Sequence, residues 1–121
     1  MSVQLLEPEL DRLQELWSDG LADTYDAYLA AVDEPRLALA AALIEVGIRL
    51  QGLGGLAAPP TTLLMGDLCL ARGSRLLADH APLAVQVAFA RSIELLSSRA
   101  AAQQPAPPVR QLLQDSFGGL R

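Results

Sequence analysis

Between Leu37 and Ile44 the chain offers no polar side chain at all. A helix through this stretch is apolar all round, so it sits either at the centre of a bundle or against another subunit. A chain of 121 residues is one domain with a core of moderate size. Four or five helices leave little interior in which to enclose one of their number. The all-apolar run is therefore a first physical hint of a partner.

Composition sets the class. Hydrophobic residues make up 51% of the chain but aromatics only 4%, so the apolar content is mostly Leu and Ala. Both are strong helix formers, and β-branched residues are few. The expectation is an all-α fold, four to five helices in a compact antiparallel bundle with closely approaching axes. The net charge is −5, every basic residue is Arg, and most of the 14 acids precede residue 35. With no basic patch to neutralise phosphates, nucleic acid is not an expected partner, and neither is an anionic membrane surface. The acidic front reads as a solvated helix face. The N-terminus is acidic rather than basic, unlike a signal peptide. The longest apolar run, Leu37 to Val46, is too short and too charged to span a bilayer, so no stable membrane insertion and a cytoplasmic location are expected. Cys69 is the only cysteine. It reads as a small core hydrophobe.

Leu10, Leu13, Leu16, Trp17, Leu21, Tyr25, Tyr28 and Leu29 recur at three- and four-residue steps, which predicts a first helix from Pro8 to Ala31 with Gly20 as a possible break. Asp33-Glu34-Pro35 is a start signal in which Asp can cap and Pro fits the first turn. A second helix follows from Arg36 to Leu53. Gly52 to Pro60 holds too many glycines and prolines to continue it. Thr61 or Thr62 caps a third helix from Thr62 to Ala78, and a fourth runs from Pro82 to Ala102 with Val85, Phe89, Ile93 and Leu96 as its stripe. The domain division is a bundle over residues 1–102, then 103–121 as a Pro-rich linker and a short helix carrying Leu112, Leu113 and Phe117. That helix is marginal in water and has to dock or fray.

Few residues suggest chemistry. Gly66 and Gly73 lie two turns apart and suit a tight helix crossing. Asp67 is flanked by leucines and needs a partner, with Arg72 and Arg75 as candidates. Glu45 and Arg49 share a face in the favourable order, either as a structural pair or as the polar spot of an interface. His80 sits in a turn with no companion for a metal site or a triad. No catalytic, metal-binding or cofactor-binding residue is assigned.

The stretch Leu63-Leu64-Met65-Gly66-Asp67-Leu68-Cys69-Leu70-Ala71-Arg72 resembles the Gly-Asp helix of the all-trans polyprenyl diphosphate synthases. Ala42 to Gln51 is similar to the start of that family's first motif, with Glu45 on the family's glutamate. The resemblance covers Leu39 to Ala102. The aspartates are missing, because Gly52 to Leu56 stands where they should be, and carboxylates are the usual magnesium ligands. The family's phosphate-binding arginine is replaced by Ala57-Ala58-Pro59-Pro60, and Ser97-Ser98 replaces its Gly-Glu element. The chain is thus similar to the small, aspartate-poor subunit of heterodimeric synthases of the hexaprenyl and heptaprenyl type. The resemblance implies a truncated isoprenoid-synthase-like fold and a non-catalytic regulatory subunit for isoprenoid or quinone side-chain biosynthesis. It implies a full-length synthase subunit as partner, with magnesium held only there. Leu39, Leu43, Glu45, Val46, Arg49, Leu50, Leu64, Asp67 and Leu68 would form the interface and the wall of the elongation tunnel. Alone, such a chain would homodimerise or aggregate. The alternatives are an α-helical adapter unrelated to isoprenoids and a small apolar-ligand carrier or stand-alone enzyme, the last without convergent polar groups to support it.

Overall fold

The computed structural model describes residues 17–52 and 60–120. The front of the first expected helix and most of the Gly/Pro-rich stretch after Gly52 lie outside the described residues. Within them the chain is all-helical. A kinked turn, Trp17–Leu21, leads into α1 (Ala22–Val32), followed by α2 (Pro35–Leu50), α3 (Pro60–His80), α4 (Leu83–Ala101) and α5 (Val109–Asp115), with a final tight turn over Ser116–Leu120. The five helices pack against one another as a compact bundle.

Helix starts and stops have local causes. Gly20 takes φ 130°, a backbone state that L side chains rarely adopt, and this ends the preceding turn. Asp33 closes α1 in the left-handed region, its N–H donating to the Leu29 carbonyl at 2.9 Å. The cap of α2 is Glu34, not Asp33. Its carboxylate accepts from the Leu37 N–H at 2.7 Å, while Pro35 occupies the first turn, where a missing N–H costs nothing.

The apolar stretch in α2 is enclosed by the chain itself, which overturns the hint of a partner drawn from it. Leu37, Ala38 and every residue from Ala40 to Ile48 are buried. Helices α1, α3 and α5 all pack on α2, and the small side chains of Ala38, Ala40, Ala41 and Ala42 let them come near. The α2–α3 crossing is the closest. A Cβ on Gly73 would lie 2.8 Å from the Ala40 carbonyl oxygen, and one on Gly47 would lie 3.0 Å from that of Gly66. The glycine spacing of α3 is thus a crossing point between two backbones.

The segment after the Pro-rich stretch is docked. Leu113 and Phe117 are buried in the same core as Tyr28, Phe89 and Leu96, and the Phe117 ring meets Phe89 edge-on with centroids 5.0 Å apart. Among the described residues no helix is long and apolar enough to cross a membrane.

Candidate functional site

Among the described residues the densest polar cluster surrounds Glu45, which is only 4% exposed. Three helices build it. Helix α1 contributes Thr24 and Tyr28, one turn apart on its inner face. Helix α2 contributes Glu45 and Arg49, also one turn apart, and α5 contributes Arg110. The Tyr28 hydroxyl donates to Glu45 Oε1 at 2.9 Å. Arg110 grips both oxygens, Nε donating to Oε1 at 3.1 Å and Nη2 to Oε2 at 3.0 Å. Arg49 Nη2 stands 3.3 Å from Oε2 and also donates to Thr24 Oγ1 at 2.9 Å. The Thr24 hydroxyl in turn donates to the Gly20 carbonyl at 3.0 Å, joining the cluster to the kink.

The electrostatics follow from this crowding. Burial, and then the adjacent Glu45 carboxylate, push the Tyr28 phenol far above its ordinary range, so it stays a hydrogen-bond donor. The hydrogen bonds to Glu45 raise the Arg110 guanidinium still further, so it stays charged. A carboxylate has about four acceptor positions; Tyr28 and the two Arg110 contacts take three by hydrogen bonds, and Arg49 adds an ion pair. Glu45 is thereby engaged inside the chain. The cluster ties three helices together.

The other residues singled out in the sequence are dispersed. Leu43 and Val46 are buried with Glu45, Leu39 and Leu50 are half-buried at the margins of the core, and Arg49 is exposed beyond its contacts. Asp67 is exposed and accepts a hydrogen bond from the amide of Gln51, the residue just after α2. Leu68 beside it is half-buried, and Leu64 one turn earlier is 62% exposed. Arg75 donates instead to Asp79 at 3.1 Å on the solvent side of α3. Cys69 is fully buried, and burial pushes its thiol up to about 11. Among the described residues no three His, Cys, Asp or Glu side chains gather closely enough to share a metal ion.

The chain matches no family model, no curated protein and no solved structure.

Among the described residues, recesses flank the bundle at two places. One, about 160 Å³, lies among Ile48, Leu96, Ala100, Pro105, Ala106 and Val109. That is space for a group the size of benzene, far less than a lipid carrier needs. The other, about 420 Å³, lies beside Val32, Gln111, Gln114, Asp115 and Phe117 and is lined mainly by polar surface. Neither adjoins a set of convergent acid and base groups.

Sequence reasoning missed Tyr28, Thr24 and Arg110 as members of the cluster. Tyr28 was visible only as one more apolar-stripe residue, and Arg110 follows the Pro-rich stretch, 65 positions from Glu45.

Proposed function

We propose that this chain is a non-catalytic helical subunit that shapes the activity of a partner chain of the prenyl diphosphate synthase type. The partner would hold magnesium and diphosphate. This chain would supply apolar wall to the space in which the product tail grows. Such a tail gains about 25 cal/mol for each Å² of apolar surface taken out of water, so a side chain that closes the space would set the length at which growth stops.

One observation carries the subunit part of the reading. The charged groups of the Glu45 cluster are spent on one another, while leucine is left open on the outer face of α3: Leu63 and Leu64 are exposed, with Leu68 half-open on the same side. The isoprenoid part is supported by the resemblance of Leu63 to Arg72 to the Gly-Asp helix. On this reading the contact surface is the α3 face around Leu64, Asp67 and Leu68, bordered by Leu50. Leu43, Glu45 and Val46 act behind it as support.

The test is reconstitution. The chain is mixed with a full-length synthase subunit from the same source, and prenyl transfer and product length are measured. The expected result is a change in one or both, and a shift of product length with Leu64→Phe. Unaltered activity and product length on mixing would defeat the proposal.

A second reading is an α-helical adapter unrelated to isoprenoids. It is favoured by Leu83, the most open large apolar side chain among the described residues at 73%, and by exposed Val87 one turn later, since both lie on α4 and not on the Gly-Asp helix. In that case Leu83→Glu would abolish partner binding and Leu64→Glu would not.

A further inference from the structure

Helix α5 has seven residues, too few to persist alone, so the groove in which it lies supplies its conformation. Its contacts there, and those of the turn Ser116–Leu120 that follows it, are specific. Leu113 and Phe117 enter the core, the Ser116 and Ser92 hydroxyls share a hydrogen bond of 2.9 Å, and Arg110 grips Glu45. All these partners are remote in sequence: Ser92 is 24 positions from Ser116, and Glu45 is 65 from Arg110. The groove therefore recognises α5 by its side chains and not by how it is attached.

The attachment is a six-residue hinge, Gln-Gln-Pro-Ala-Pro-Pro over residues 103–108, almost all of it exposed. At its start the chain reverses through Gln103 at φ 56°, with the Gln104 N–H donating to the Arg99 carbonyl at 2.8 Å and the Gln103 N–H to that of Ala100 at 3.1 Å. This reversal ordinarily takes glycine. A glutamine held there is strained, and the strain disappears when the hinge straightens. Pro105, Pro107 and Pro108 favour the straight form, in which six residues reach roughly 19 Å. Within the hinge, opening gives up the two reversal hydrogen bonds and the longer Arg99 contact to the Pro105 carbonyl at 3.3 Å. It also leaves Glu45 without Arg110 and uncovers Phe89.

We propose that α5 exchanges between two copies of this chain, residues 109–120 of each filling the groove of the other. The partner is a second copy because only an identical copy offers a helix with Arg, Leu, Ser and Phe at the positions this groove engages. The contact is reciprocal and closes as a two-fold dimer. Every core contact of α5 is kept, now between copies, and protein concentration decides how much of the exchanged form is present.

Shortening the hinge tests this. Deleting residues 105–107 halves the hinge, which disfavours the turn of α5 back onto its own groove more than its reach to a neighbour's. The expected product has twice the chain mass by light scattering, at concentrations where the full chain is monomeric, and it keeps that mass when Leu83→Glu is added. A monomer at all concentrations, or a dimer that Leu83→Glu dissolves, would overturn the proposal. Charge exchange is an independent check in the full chain. Glu45→Arg and Arg110→Glu chains each place like charges at the pair, and only an exchanged heterodimer restores both pairs. Co-refolding the two is expected to give a folded dimer from chains that separately melt early or fail to fold. If the mixture behaves as the sum of its parts, the exchange does not occur.

Discussion

Tyr28 and Arg110 meet on a single atom: the phenol hydroxyl and the guanidinium Nε both donate to Glu45 Oε1, at 2.9 and 3.1 Å. The first helix and the last are thus joined through one buried carboxylate on α2. What remains of the bundle when either donor is removed follows from the burial of that carboxylate.

Tyr28→Phe keeps the ring and deletes the hydroxyl. A hydrogen bond to a charged acceptor contributes about 1.5–3 kcal/mol, and Tyr28 is fully buried, so water cannot replace it. Urea unfolding should show a loss in that range with the slope of the transition unchanged.

Arg110→Ala removes two of the four contacts to Glu45. A fully buried pair broken on one side costs about 3–5 kcal/mol. The Arg110 side chain is 46% exposed, so about 2 kcal/mol is expected here, once solvent screening is allowed for. Arg75→Ala is the control. Its pair with Asp79 is on the surface, and its loss should change stability by no more than about 0.5 kcal/mol.

Gly73→Ala should destabilise although alanine is the better helix former by about 1 kcal/mol. The new methyl would stand 2.7 Å from Ile44 Cγ1 and 2.8 Å from the Ala40 carbonyl oxygen. Because the second neighbour is backbone, it cannot swing aside, and forced overpacking costs about 1–3 kcal/mol. Gly66→Ala should be milder, since its nearest neighbour at 2.8 Å is Cγ of Gln51, on a flexible side chain. Thermal melts of the two variants should fall in that order.

Stability should decline in alkali. The unfolded chain releases the Cys69 proton near 9.0, whereas the folded chain holds it to about 11. Tyr28 adds the same effect from 10.0 upward. In both windows the unfolded state binds fewer protons than the folded one, so the free energy of unfolding falls as pH rises. The contribution is intact below pH 9.0 and erodes above it. Urea midpoints measured across this range should show the decline, and Tyr28→Phe should flatten the part above 10.0. Native Cys69 should also resist alkylation until the chain unfolds, because it has no exposed surface.

Much of the fold could be read from the chain. The three- and four-residue steps gave the helices their faces, Pro35 and Pro82 their starts, and Gly66 with Gly73 the tight crossing. The pairing of Glu45 with Arg49 followed from their spacing. The rest depended on contacts between distant segments. Periodicity shows that α2 is apolar on every side but not what covers it, and alanines allowed the chain's own helices to do so. Gln51 was missed as the donor to Asp67 because reasoning about charge looks for arginine first. Arg110 was missed because it stands on a two-turn helix whose docking no local pattern encodes. Asp33 and Glu34 are both able to cap, and only the left-handed backbone at Asp33 assigns the role to Glu34.

Trp17 is the chain's one tryptophan, 43% exposed, with its ring 5.5 Å from that of Tyr25. It precedes the kink at Gly20, outside the buried core. Its fluorescence therefore watches a joint at the periphery, while circular dichroism watches the helices as a whole. Emission that changes at lower denaturant than ellipticity would mark fraying at this entrance, and coincident curves would mean that the joint lets go only when everything does.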